Sequence, residues 1–209
     1  MKQILLALAL LLLFAKQAQA QWVPVSGRII ATTEAIAADG AVNTKWTTTV
    51  QYSRSSSGSI VMQHIGRSGK PTTATLLDYG KSHRAYSVTY RTGQVTFLPQ
   101  SLDRQFATKP PTTMTTAQQK VSLGNDKVGG VDCFMVPIYD TGPNRSRILI
   151  GKAWLAPAYN NLVMREDVIR NSPTGGKLHV VREFKVTGQT EPDPSLFSTD
   201  RKVIAGLWK

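Results

Sequence analysis

Strict alternation of apolar and polar residues, cut at short intervals by turn signals, constrains this chain more than any other feature. In "RAYSVTY", Tyr86, Val88 and Tyr90 fall on one side, with Ala85, Ser87 and Thr89 on the other. In "KLHVVREFKV", Leu178, Val180, Phe184 and Val186 share a side, opposite His179, Glu183 and Lys185. A repeat of two residues with one apolar side is what a half-buried antiparallel strand requires. Turn signals punctuate these runs: "ADGA" around Asp39-Gly40, "SSSG" at Ser55, "SGKP" at Ser68, "YGKS" at Tyr79 and "RTGQ" at Arg91. "DTGPNR" at Asp140 and "SPTGGK" at Ser172 complete the series. Asp39-Gly40 reads as a two-residue hairpin turn of type I′.

The pattern predicts a mainly β fold: an antiparallel meander of about nine to eleven strands, from near Gly27 to near Val203, forming a curved sheet or incomplete barrel. One stretch breaks the rhythm. Gln100 to Gly124 lacks clean alternation and contains Pro110-Pro111, so it reads as a long loop and short-helix crossover that covers an open side of the sheet. No repeat and no second composition regime divides the remainder, which predicts one β-rich domain over residues 21–209.

The first twenty residues read differently. Lys2, an apolar run from Ile4 to Ala15, and the small residues of "AQA" make an export signal cleaved between Ala20 and Gln21. That run is short of the roughly 20 residues a membrane-spanning helix needs. The expected product is soluble and exported, periplasmic or extracellular. Losing Lys2 and Lys16 lowers the formal charge from +12 to +10. So large a charge favours polyanions in general, but the basic residues are scattered and export disfavours nucleic acid. A single cysteine, Cys133, excludes an internal disulfide, so stability must come from an ordinary core.

The chemical inventory is thin. Cys133 lies in the apolar run "VGGVDCFMVPIY" and reads as a packed small hydrophobe rather than a nucleophile. His64, His83 and His179 show no metal-ligand spacing, and no metal or other cofactor is expected. "SPTGGK" lacks the first glycine of a phosphate loop, and Leu178 stands where a magnesium-binding hydroxyl should be. Glu166 and Asp167 are neighbours on a strand, so their carboxylates point to opposite sides. No catalytic constellation emerges, and the chain does not read as an enzyme. "QTEPDPSLFSTD", Gln189 to Asp200, gathers acids around Leu196-Phe197. Asp193 is placed to cap a short turn that opens with Pro194, dropping the apolar pair onto the sheet before a last strand.

The order of "ADG", "IGRSGKP", "DYGKSHRAYSV", "KVGGVDC", "WLAP…NNLVMREDV", "SPTGGK" and "TEPDPSLF" resembles a group of exported bacterial proteins with an "EPDPxLF" C-terminal signature. The loop "DVIRNSPTGG" is longer here than in that group. More distantly, the chain resembles LolA- and LolB-like periplasmic proteins, whose incomplete barrels close over an apolar cavity that holds acyl chains. The resemblance implies a hydrophobic ligand or lipid. The strand side bearing Tyr86, Val88, Tyr90, Leu178, Val180 and Phe184 is the candidate lining, although a filled core needs such a side equally. The alternative is a non-catalytic structural or interaction module of a cell-envelope or secreted assembly, meeting its partner through sheet edges and a basic surface.

Overall fold

A computed structural model describes residues 22–79, 84–98, 122–141, 146–173 and 175–208. The proposed leader, His83 and most of the crossover lie outside the described residues. Among the described residues, eleven strands form one antiparallel sheet in the order β6-β5-β4-β3-β2-β1-β11-β10-β9-β8-β7. From the centre outward run β1 (Val25–Ile36), β2 (Val42–Arg54), β3 (Ile60–Ile65), β4 (Pro71–Asp78), β5 (Arg84–Thr89) and β6 (Gln94–Phe97). From the far edge back run β7 (Gly124–Val128), β8 (Val131–Thr141), β9 (Arg147–Ala156), β10 (Leu162–Asn171) and β11 (Lys177–Gly188), which pairs with β1. The sheet is not closed: β6 and β7 stand at opposite ends of the order. This is the meander that the alternation predicts, in an open arrangement consistent with an incomplete barrel.

The turns reuse one solution. At Ala37–Ala41, Ser55–Ser59, Gly66–Lys70 and Ser172–Gly176 the first residue's N–H donates to the fifth residue's carbonyl, at 2.8 to 3.1 Å, while the fourth residue is a glycine bonded back to the first. Each of those glycines has a φ between 78° and 89°. This is a three-residue loop that ends on a residue in the left-handed region. The Asp39-Gly40 hairpin is therefore not the two-residue type I′ turn expected, because only Gly40 has a positive φ. The turn with positive φ at both positions joins β7 to β8 at Gly129-Gly130.

The register fixes which side chains share a face. Phe184, Ile29, Val50, His64, Thr73 and Thr89 are successive cross-strand partners, so they lie on one face. The adjacent row, Lys185, Arg28, Gln51, Gln63, Ala74, Val88 and Val95, lies on the other. Two buried clusters form. In the first, Val25, Tyr52 and Phe184 meet Trp154, Ala156 and Met164 where a bulge between Val163 and Arg165 re-aims β10. The Tyr52 and Phe184 rings sit edge-to-face, 5.3 Å apart. Gly27 leaves the room in which the Phe184 ring lies. Cys133 is buried in this cluster, which pushes its thiol pKa up, as suits a packing residue.

In the second cluster Val61, Ala74, Leu76, Val88 and Tyr90, on the Val88 face, pack against Ile204, Leu196, Phe197, Leu207 and Trp208. The covering segment is a 3-10 turn, Pro194–Phe197, followed by helix α1, Arg201–Leu207. Asp193 Oδ1 accepts from Ser195 N at 2.8 Å and Asp200 Oδ1 from Lys202 N at 2.7 Å. Asp193 and Asp200 of the C-terminal motif are thus caps, while Glu191 accepts from the Ser56 N–H at 3.0 Å, and Leu196 and Phe197 lie on the sheet as expected. The last strand expected near Val203 is instead α1. The Asp200 cap opens the helix, and Ile204, Leu207 and Trp208, spaced three and four residues apart, turn one side to the sheet.

Candidate functional site

The six residues predicted as a lining are not brought together. Tyr86, Val88 and Tyr90 lie on the Val88 face, where Val88 and Tyr90 are buried beneath α1 and the Tyr90 hydroxyl accepts from Gln63 Nε2 at 2.7 Å. Leu178, Val180 and Phe184 lie on the other face, and Phe184 is filled core. Alternation says that a strand has one apolar side, but not which face of the sheet receives it; the register decides.

Outward from Phe184 the same face is partly exposed, although Val168 and Ala153 within it are buried. Three cross-strand rows build it. Thr48, Ala31, Arg182, Glu166 and Ala153 form the first; Trp46, Thr33, Val180, Val168 and Gly151 the second; Thr44, Ala35, Leu178 and Arg170 the third. Val136 and Ile138 of β8 extend the first two rows past Ala153 and Gly151. Ala31 and Ala35 on β1 and Ala153 and Gly151 on β9 are small, while Leu178, Val180 and Val168 stand between them on β11 and β10. Gly151 has no freedom to be anything larger, because a Cβ there would run into the β10 backbone at Asp167 and Val168. Leu178, Val180, Ala31 and Ala35 are half-buried, and Trp46 is 43 % exposed. Both packed clusters stop short of these five side chains. At the strand tips, not on this face alone, an open hollow of about 440 Å³ is lined by Ile148, Leu149 and Arg170 together with Ile169 and Lys177 of the opposite face.

Charge enters this floor at one place. Glu166 accepts from Arg182 Nη1 at 2.8 Å and from Arg170 Nη2 at 3.4 Å. Two guanidiniums share one carboxylate, leaving a net positive charge and unused N–H donors over an apolar surface.

The opposite face carries a second polar group. His179 sits between Asp167, 2.9 Å from Nε2, and Glu34, 3.5 Å from Nδ1, and Lys45 bonds Glu34 at 2.8 Å. No spacing along the chain signals this carboxylate–histidine pairing, since Glu34 and Asp167 reach His179 only through strand register. The carboxylates bracket the ring from both sides instead of converging on a point. No group of three or more histidine, cysteine or acidic side chains among the described residues is arranged to hold a metal. Lys45 holds the Glu34 carboxyl below its usual range, chiefly by hydrogen bonding.

Among the described residues, the chain forms an open antiparallel sheet of incomplete-barrel type, with a partly exposed apolar strip on one face that neither packed cluster reaches. In arrangement the chain is similar to the crystal structure of a LolA superfamily protein from Nitrosomonas europaea. The identity is 11 %, over 87 % of this chain and 91 % of that one, with a TM-score of 0.36. It is also similar to a domain from Vibrio parahaemolyticus described as an outer membrane lipoprotein-sorting protein, at 12 % identity over 86 % of this chain and 92 % of that one, with a TM-score of 0.32. No protein-family model matches the sequence, and no characterised protein matches it either. Among the described residues no helix is long and apolar enough to cross a membrane.

Proposed function

We propose that this chain is an exported, non-catalytic binder of a hydrophobic ligand, a lipid or acyl chain, which lies along the strip formed by Ala31, Ala35, Trp46, Leu178 and Val180. One observation carries the reading: these side chains continue the Phe184 face beyond both packed clusters. An apolar surface of this kind gains stability when covered, at about 25 cal/mol per Å² removed from water. The Arg182–Glu166–Arg170 group favours a ligand with an anionic end, met by the surplus guanidinium. Export rests on the N-terminal leader pattern and leaves the product in the periplasm or outside the cell.

The test is displacement of a dansyl-labelled fatty acid. Leu178→Trp and Val180→Trp fill the strip and should weaken binding about tenfold. Arg182→Gln should weaken the anionic probe more than a neutral monoglyceride of equal chain length. Affinities unchanged by all three would contradict the site.

A further inference from the structure

Strand β2 carries a backbone edge that no described strand pairs with. It pairs with β1 along its length, from Val42 to Arg54, but β3 pairs only with Val50 to Arg54. From Val42 to Thr49 the side toward β3 is open, and all eight of these residues are exposed. Every second residue there turns an N–H and a C=O outward with no strand to receive them.

Elsewhere the chain blunts its edges. The two end strands are short, β6 having four residues and β7 five. The comparable overhang of β8, beyond its pairing with β7 at Met135, contains Pro137 and a register break between Ile138 and Tyr139. The β2 overhang has no proline, and its one register shift lies at the tip, where Asn43 is skipped between Val42 and Thr44; Thr44 to Thr49 pair with β1 without interruption. Its sequence, "VNTKWTTT", is rich in β-branched and aromatic residues that favour pairing. Its one charged residue, Lys45, is bonded to Glu34.

The place where β3 stops is a notch of about 570 Å³ beside this edge, lined by Thr47–Thr49 and Gln51 on one side and by the β3–β4 turn on the other. Arg28, His64 and Arg67 line it, and no carboxylate does. Arg28 also stands directly opposite Lys185, a pairing of like charges that an anion would relieve.

We infer that the Val42–Thr49 edge of β2 is a docking site for an extended acidic segment of a partner protein, which adds to the sheet as a further strand and sets its carboxylates against Arg28 and Arg67. Main-chain hydrogen bonds supply the affinity, and the basic notch selects the sign of the partner's charge. The edge meets the apolar strip at Trp46, but Arg28 and the rest of the strip lie on opposite faces of the sheet.

Amide hydrogen exchange on the full chain tests this, with a synthetic octapeptide alternating Val or Thr with Glu as the probe. The peptide should slow exchange of alternate amides between Asn43 and Thr49 by about tenfold or more. The same peptide N-methylated at alternate residues, and a version with Lys in place of Glu, should give no protection. Arg28→Glu and Arg67→Glu, well away from either core cluster, should each weaken the acidic peptide at least several-fold. Three results overturn the inference: no protection by the acidic peptide, equal protection by the N-methylated one, or concentration-dependent protection of these amides by the protein alone, which would assign the edge to a second copy.

Discussion

Arg54 shows most clearly how single residues hold this sheet. It is 2 % exposed and touches no carboxylate, yet its guanidinium donates to the Val23 carbonyl from Nε and Nη2, at 3.2 and 2.9 Å, and to the Tyr159 carbonyl at 2.8 Å. The Trp22 ring lies 5.0 Å away. Arg54 therefore ties the chain entry to the β9–β10 connection, and burial lowers its pKa. Arg54→Ala leaves buried carbonyls without partners and should cost roughly 3 kcal/mol, read as a lower urea midpoint. Titration adds two limbs. Burial raises the neighbouring Tyr52 phenol from 10.0 to about 12, so it contributes stability in full below pH 10 that is lost as pH rises towards 12. The carboxyls of Glu34, held by Lys45, of Asp126, held by the Trp154 indole, and of Asp193, held by the Ser195 N–H, are all depressed. Their contribution is present above the ordinary carboxylate range and is lost as pH falls through their lowered values. The thermal midpoint should fall at both extremes, and Tyr52→Phe should flatten only the alkaline limb.

At the scale of elements, the strands were legible because burial on one side of a sheet writes a two-residue period into the sequence. The recurring loop was legible as glycine in "ADG", "SSG", "RSG" and "PTG", though not its length, which depends on the hydrogen bonds between the first and fifth residues. Helix α1 was not. Its seven residues make barely two turns, and Val203-Ile204 looks like strand; the Asp200 cap was the available signal. Leu196 and Phe197 were read correctly as apolar anchors, but the Phe197 ring is half-buried, which moderates its weight. Phe197→Ala should cost roughly 2 kcal/mol, below the 3–5 kcal/mol of a fully buried ring. Ile204→Ala, at 1 % exposure, should cost about 2–4 kcal/mol by calorimetry. Gly27→Ala puts a methyl into the space of the Phe184 ring and should destabilise by about 1–3 kcal/mol.

Over the whole molecule, the site was less legible than the fold. Leu178 and Val180 were found as one apolar strand side, but joining them to Tyr86, Val88 and Tyr90 required the two wings to share a face. The cross-strand rows from β11 to β5 place those groups on opposite faces. Nor could alternation assemble Ala31, Ala35 and Trp46 with Leu178 and Val180, since these contacts span more than 130 residues of chain and exist only through register. The molecule that results has one wing filled by its own C-terminal segment and a central strip left unfilled by either cluster. Its central claim is that a hydrophobic ligand occupies this strip. Native mass spectrometry of the exported protein, purified from its own cell envelope without detergent, measures this directly. The account predicts a lipid-mass adduct on the wild-type chain that is strongly depleted in Val180→Trp. A ligand-free wild-type spectrum, or an adduct retained undiminished by Val180→Trp, would contradict it.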